Sequence, residues 1–274
     1  LHNRRPVPVR TRNRGRPNPR KRRATKTRLK RAAETMPCKQ KHRGRHPKDD
    51  VLFREEALPA LRAAVHDLSW MISRGYAEKA AVKLVGDHYQ LTARQRTALQ
   101  RAACSDAARL RRRRHEAPAE AIAGEALLID GYNLLITVES ALSGGVLIRG
   151  RDGCVRDMAS LHGSYRKVEE TLPAARRIGA TLAALAPGAV RWRFDAPVSN
   201  SGRLRALLLE ESARHAWDWQ VELTHRVDQT LAQADAIVIS SDSWVLDRAA
   251  RWTNFAAYLV DRLEPAPPVL DLGA

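Results

Sequence analysis

Three apolar runs in this sequence close on an aspartate: Leu127-Leu128-Ile129-Asp130, Val190-Arg191-Trp192-Arg193-Phe194-Asp195 and Ala236-Ile237-Val238-Ile239-Ser240-Ser241-Asp242. Each is short, rich in β-branched or aromatic residues and followed by helical spacing, the pattern of parallel strands in an α/β sheet. Such sheets bind ligands in the crevice beyond the carboxyl ends of their strands. If the runs are neighbouring strands, three carboxylates meet on that edge. There they repel one another, and burial raises their pKa values. A hard divalent cation relieves both penalties, and oxygen-only ligation suits Mg²⁺ or Mn²⁺.

Residues 126–274 must position those acids. The first strand ends at Asp130, and Gly131-Tyr132-Asn133 reads as a turn in which Gly131 lets the backbone pass close to the site. Residues 146–154 read as a hairpin arm turning at Asp152-Gly153. A long helix is expected over 165–185, then the strand to Asp195, a Ser/Asn/Gly loop and a helix over 204–216. A short strand at 220–224, a brief helical turn after Asp228, the strand to Asp242, a helix over 245–251 and a last strand at 256–260 complete the pattern. Alternating strands and helices imply a mainly parallel sheet with right-handed crossovers.

Charge divides the chain into three parts. Residues 1–35 carry a net +13, 36–115 a net +10 and 116–274 a net −5, together the +18 of the whole. A basic front joined to an acidic rear suggests a polyanion binder attached to a metal-using domain. Segment 1–35 holds Arg, Pro and Asn without apolar periodicity, so it is expected to be a disordered basic tail. The chain opens on Leu1, and Met36-Pro37 stands where the composition turns globular. The tail therefore reads as an extension outside the folded protein, or else as a nucleic-acid-binding arm. It has no apolar stretch of a secretory signal, and no membrane-spanning run of about 18 apolar residues occurs in the chain. Cys38, Cys104 and Cys154 lie far apart without a C-x-x-C pair, which points to the cytoplasm and away from structural zinc.

Residues 36–115 read as a small all-helical domain. Apolar spacing predicts helices over 55–73 and 77–88, and Thr92 is placed as the N-cap of a third over 93–104. Helix, short turn and helix also fit a DNA-reading motif, though packed helix pairs share that pattern. The run Arg111, Arg112, Arg113 and Arg114 serves either as a solvated face or as phosphate contacts, with Arg149 and Arg151 on the hairpin arm as further nucleic-acid-binding candidates. Residues 116–125 read as a linker.

The series Ile129-Asp130-Gly131-Tyr132-Asn133, Phe194-Asp195-Ala196, Val227-Asp228 and Ile239-Ser240-Ser241-Asp242-Ser243 resembles the NYN branch of the PIN-like nucleases, in particular its bacterial YacP-type members. The likeness follows motif order over 126–262. The whole chain also resembles the bacterial DUF434 proteins, with a helical front and a PIN-like rear. The resemblance implies a PIN-like α/β domain at 126–274 with Asp130, Asp228 and Asp242 as catalytic metal ligands. Asn133 and Ser241 would orient the site. It implies a Mg²⁺- or Mn²⁺-dependent ribonuclease, with RNA preferred on the family's account. The carboxylate that PIN nucleases carry on an early helix has three candidates, Asp157, Glu169 and Glu170.

Other readings stand beside these. Asp130 could merely shape a turn, Asp228 could cap a helix, and Asp195, a fourth metal candidate, could cap the loop after it. From another class comes a catalytically silent module that grips RNA or a ribonucleoprotein through its basic face. A haloacid-type phosphatase would need Asp-x-Asp on the first strand, and position 132 is Tyr.

Overall fold

The computed structural model describes residues 42–159 and 163–274, and from 42 onward they belong to one unit. The expectation of a disordered tail over 1–35, and Cys38, lie outside the described residues.

The front is helical: α1 (Asp49–Leu52), a 3₁₀ turn (Glu55–Ala57), α2 (Leu58–Ser73), α3 (Glu78–His88), α4 (Ala93–Ala102) and α5 (Asp106–His115). Leu61, Ala64, Val65 and Leu68 form one buried stripe along α2, the three-and-four spacing of an amphipathic helix. Thr92 caps α4 in a capping box with Gln95, which satisfies two of the otherwise unpaired N–H groups of the first turn. The buried faces of α2, α3 and α4 share one apolar cluster with Val146, Ile148, Met158 and Leu272 from the rear of the chain. The segment expected as a linker contains a 3₁₀ turn (Ala119–Ile122), and its Ile122 is wholly buried in the main core.

The rear is a mixed α/β fold. Its strands are β1 (Leu127–Asp130), β2 (Leu147–Arg149), β3 (Val155–Asp157), β4 (Val190–Asp195), β5 (Trp219–Thr224), β6 (Ile237–Ile239), β7 (Trp252–Thr253) and β8 (Val269–Asp271). Five of them form a parallel sheet in the order β5-β4-β1-β6-β7, and three form a smaller sheet in the order β3-β2-β8. Leu127 and Ile129 of β1 face the main core, whereas Leu128 faces a second cluster with Val238, Val245 and Trp252. That alternation buries β1 and β6 on both faces, so they read as continuous apolar runs, whereas β4 and β5 alternate buried with more exposed residues.

The helices of the rear are α6 (Gly131–Leu142), α7 (Thr171–Ala184), α8 (Ser201–Arg214), α9 (Val227–Ala232), α10 (Ser243–Leu246) and α11 (Phe255–Val260). The chain leaves β1 for β4 on one side and later returns to β6 on the other, so the strand order reverses at β1. That reversal opens a crevice between the carboxyl ends of β1 and β6.

Three expectations are corrected. Gly131-Tyr132-Asn133 is no turn but the first turn of α6, whose near-total burial leaves no polar stripe to reveal it. Residues 256–260 lie in α11 rather than a strand: Phe255, Ala256, Ala257, Leu259 and Val260 are all buried, and such a run shows no helical period. The fifth strand is the two-residue β7. The helix expected over 165–185 begins only at Thr171, because Tyr165 and Thr171 turn inward to hydrogen-bond Glu139. Among the described residues no helix is long and apolar enough to cross a membrane.

Candidate active site

Asp130 ends the central strand, β1, at the crevice. Its side chain caps α6, accepting the Asn133 N–H at 3.4 Å, and its other oxygen accepts the Ser240 hydroxyl at 2.8 Å. The residue is only 8 % exposed, and burial pushes its carboxyl up to about 7. The charges of Asp242 and Asp228 push the same way, while the two hydrogen bonds oppose them. The carboxylate thus sits where its charge is unfavourable without a cation.

The loop after β6 is tied to α6. Asn133 Oδ1 accepts the Ser241 N–H at 2.8 Å and the Ser241 hydroxyl at 2.9 Å. Ser240 Oγ accepts the Asp242 N–H at 3.0 Å, and Asp242 Oδ1 caps α10 through the N–H groups of Trp244 and Val245. From below, the buried Arg156 donates Nε–H to the Ser241 carbonyl at 2.7 Å and pairs with Asp152. Asn133 and Ser241 therefore shape the site as bracing groups.

A cavity of about 500 Å³ lies in this crevice, lined by Asp130, Asp157, Asp228 and Asp242 together with Tyr132, Asn133 and Ser241. Asp228 is exposed on the first turn of α9; partial burial and the charges of Asp242 and Asp195 raise its pKa. Asp195 stands at the end of β4 on the same sheet edge but does not line the cavity, and burial raises it too. Among the described residues no three of His, Cys, Asp and Glu stand arranged to hold a metal ion. The donors are all oxygens, the chemistry of a Mg²⁺ or Mn²⁺ site, and the mutual charge of the four cavity acids is what a hard cation would neutralise.

Of the three candidates for an additional acid, Asp157 at the end of β3 lines the cavity, where it accepts Thr137 Oγ1–H at 2.9 Å and the Ala159 N–H at 2.8 Å. Glu170 instead meets His42 at 2.6 Å, and Glu169 lies 3.9 Å from the same ring. Sequence reasoning missed three further lining residues, Thr97, Gln100 and Arg101 of α4. Nothing in the local sequence distinguishes them from an ordinary polar helix face.

The basic candidates are mostly occupied. Arg112 is 3 % exposed and bonded to Asp152 and Asp247, so it is a buried strut and is not free to meet a phosphate. Arg111 donates to the Asp247 carbonyl at 2.6 Å, Arg149 pairs with Asp261 at 2.6 Å and Arg151 with Asp106 at 2.9 Å. Arg113 and Arg114 are exposed on α5.

Two family models match separate parts of the chain. The model of a domain of unknown function, DUF5616, matches residues 119–258, and that of a protein of unknown function, DUF434, matches residues 60–115. The first spans half of the chain, and the chain belongs to the DUF5616 family. It is 26 % identical over 199 residues to an uncharacterized protein of Methanocaldococcus jannaschii, covering 70 % of this chain and 95 % of that protein. No solved structure matches the chain.

Proposed function

We propose that the protein is a metal-dependent nuclease of the PIN-like, NYN type, acting on the phosphodiester bonds of RNA. The supporting observation is the carboxylate cavity at the switch point of a parallel sheet, with Asp130 buried among the charges of Asp242 and Asp228. Asp130, Asp242 and Asp228 would hold the ion, and Asp157 is the fourth acid at hand. Mg²⁺ or Mn²⁺ bound there supplies an acidified water and charge neutralisation at the phosphate. Asn133 and Ser241 keep the loop carrying Asp242 against α6, so the acids from two strands hold a fixed spacing. RNA as substrate rests on the resemblance of the motifs at 129–133 and 239–243.

The test is cleavage of a labelled single-stranded RNA by the full chain in Mn²⁺, beside Asp130→Asn. Metal-dependent cleavage lost in Asp130→Asn is expected. No cleavage, with salt-dependent RNA binding retained, would replace this reading by the silent binding module. Cleavage surviving in Asp130→Asn would assign the activity to a contaminant.

A further inference from the structure

The cavity has two walls from different parts of the chain. The acids come from β1, β3, α9 and the loop after β6, while Thr97, Gln100 and Arg101 come from α4 in the helical front. Arg101 is held in place: Nη1 donates to the Asp157 carbonyl, and Nη2 donates to the Ala159 carbonyl at 2.8 Å. Two of its hydrogen bonds go to neutral carbonyls, and its one carboxylate neighbour, Asp157 Oδ1, is 3.5 Å away. Its charge is therefore only partly compensated, and the side chain remains 28 % exposed at the cavity. Gln100 is exposed and also faces the cavity.

A site made of acids alone repels a polyanion as strongly as it attracts a cation. A fixed guanidinium beside the acids offsets that repulsion and gives a phosphate oxygen planar N–H donors. We infer that α4 is the substrate-binding wall of the active cavity, with Arg101 contacting a phosphate of a single-stranded nucleic acid and Gln100 flanking the strand. The helical front is then half of one site rather than a separate binding module. This deepens the nuclease reading and rests on it for the substrate class.

Because Arg101 also ties α4 to β3, the primary test uses Gln100, whose exposed side chain can be recharged without disturbing the core. Anisotropy of a labelled single-stranded RNA is measured with the full chain in EDTA across a salt series. Gln100→Glu is expected to weaken binding about three- to tenfold and Gln100→Lys to tighten it by a similar factor, the effect of one charge a few ångströms from a phosphate. Lys79→Gln, an equal charge change on exposed α3, is expected to bind within about twofold of wild type. Arg101→Gln should lower the slope of log affinity against log salt by about 0.7, the loss of one phosphate contact on a single strand. In Mn²⁺, Gln100→Glu should raise KM with kcat retained.

Equal binding by Gln100→Glu and wild type, or an equal loss in Lys79→Gln, overturns the proposal, and so does a wild type that does not bind RNA. The two readings fail separately. Charge-dependent binding at Gln100 without cleavage by any form leaves the wall standing and removes the nuclease. Cleavage lost in Asp130→Asn but indifferent to Gln100 does the reverse.

Discussion

At the residue scale, the burial of Asp130 carries a stability cost. Its carboxyl titrates near 7 in the folded protein, raised first by burial, against about 3.9 in the unfolded chain. Between those values the folded state holds the extra proton, so stability falls as pH rises and the full penalty is present above the folded pKa. Metal-free wild type should therefore lose on the order of a few kcal/mol from pH 4 to pH 8 relative to Asp130→Asn. Urea unfolding in EDTA at the two pH values measures the difference. Parallel curves for the two proteins would mean that Asp130 is solvated more than its environment indicates. Its neighbour makes a steric prediction. A Cβ on Gly131 would lie 2.4 Å from two ring atoms of Phe194, itself buried against Tyr132 and Trp192. Glycine is needed there for that approach of α6 to β4, so Gly131→Ala should destabilise by about 1–3 kcal/mol. An unchanged urea midpoint would show that the ring has room to move.

At the element scale, what could be read from the sequence follows from how each element is buried. β1 and β6 were legible because a strand buried on both faces writes an apolar run, and β4 because its buried residues alternate; β6 stops at Ile239, and the Asp242 expected at its end instead caps α10. The helices of the front were legible because one face of each meets water. α6 and α11 were not, since helices buried on nearly all sides carry no periodic signal, and β7 and β8 are too short to register. The same limit applies to the site: Asp130, Asp228 and Asp242 stand in recognisable motifs, whereas Asp157 and Arg101 reach the cavity only through the hairpin and the packing of α4. The hairpin is legible from its Asp152-Gly153 turn, but the part played by Arg156 is not. Arg156 anchors the site loop, bonded to Asp152 and to the Ser241 carbonyl. Although burial alone would raise the Asp152 carboxyl, Arg156 and Arg112 hold it far below the usual carboxylate range. Arg156→Gln leaves that buried charge with one partner and should cost about 3 kcal/mol. Asp152→Asn placed in the same chain should restore part of the loss, a coupling that a double-mutant cycle in urea detects. Strict additivity would mean the pair does not act as a unit.

At the scale of the whole molecule, a chain with a net charge of +18 places four carboxylates around one cavity. Excess positive charge elsewhere does not relieve that cluster, because exposed charges beyond about 8–10 Å are screened at physiological salt. Under the proposed function a cation bound among the acids adds local neutralisation, and an ion that binds only the folded state stabilises it. At a Mn²⁺ concentration a hundredfold above its dissociation constant the gain is about 2.7 kcal/mol, or roughly 5–10 °C in Tm for a folded unit of this size. Asp130→Asn removes the proposed ligand and the buried charge together, so it should melt above wild type in EDTA at pH 8 and show little response to Mn²⁺. Wild type should rise toward it as the metal is added, closing much of the gap. This convergence separates a metal site at Asp130 from ions adsorbed on the surface, which would shift both proteins equally. Equal shifts would place any bound Mn²⁺ away from the β1–β6 crevice.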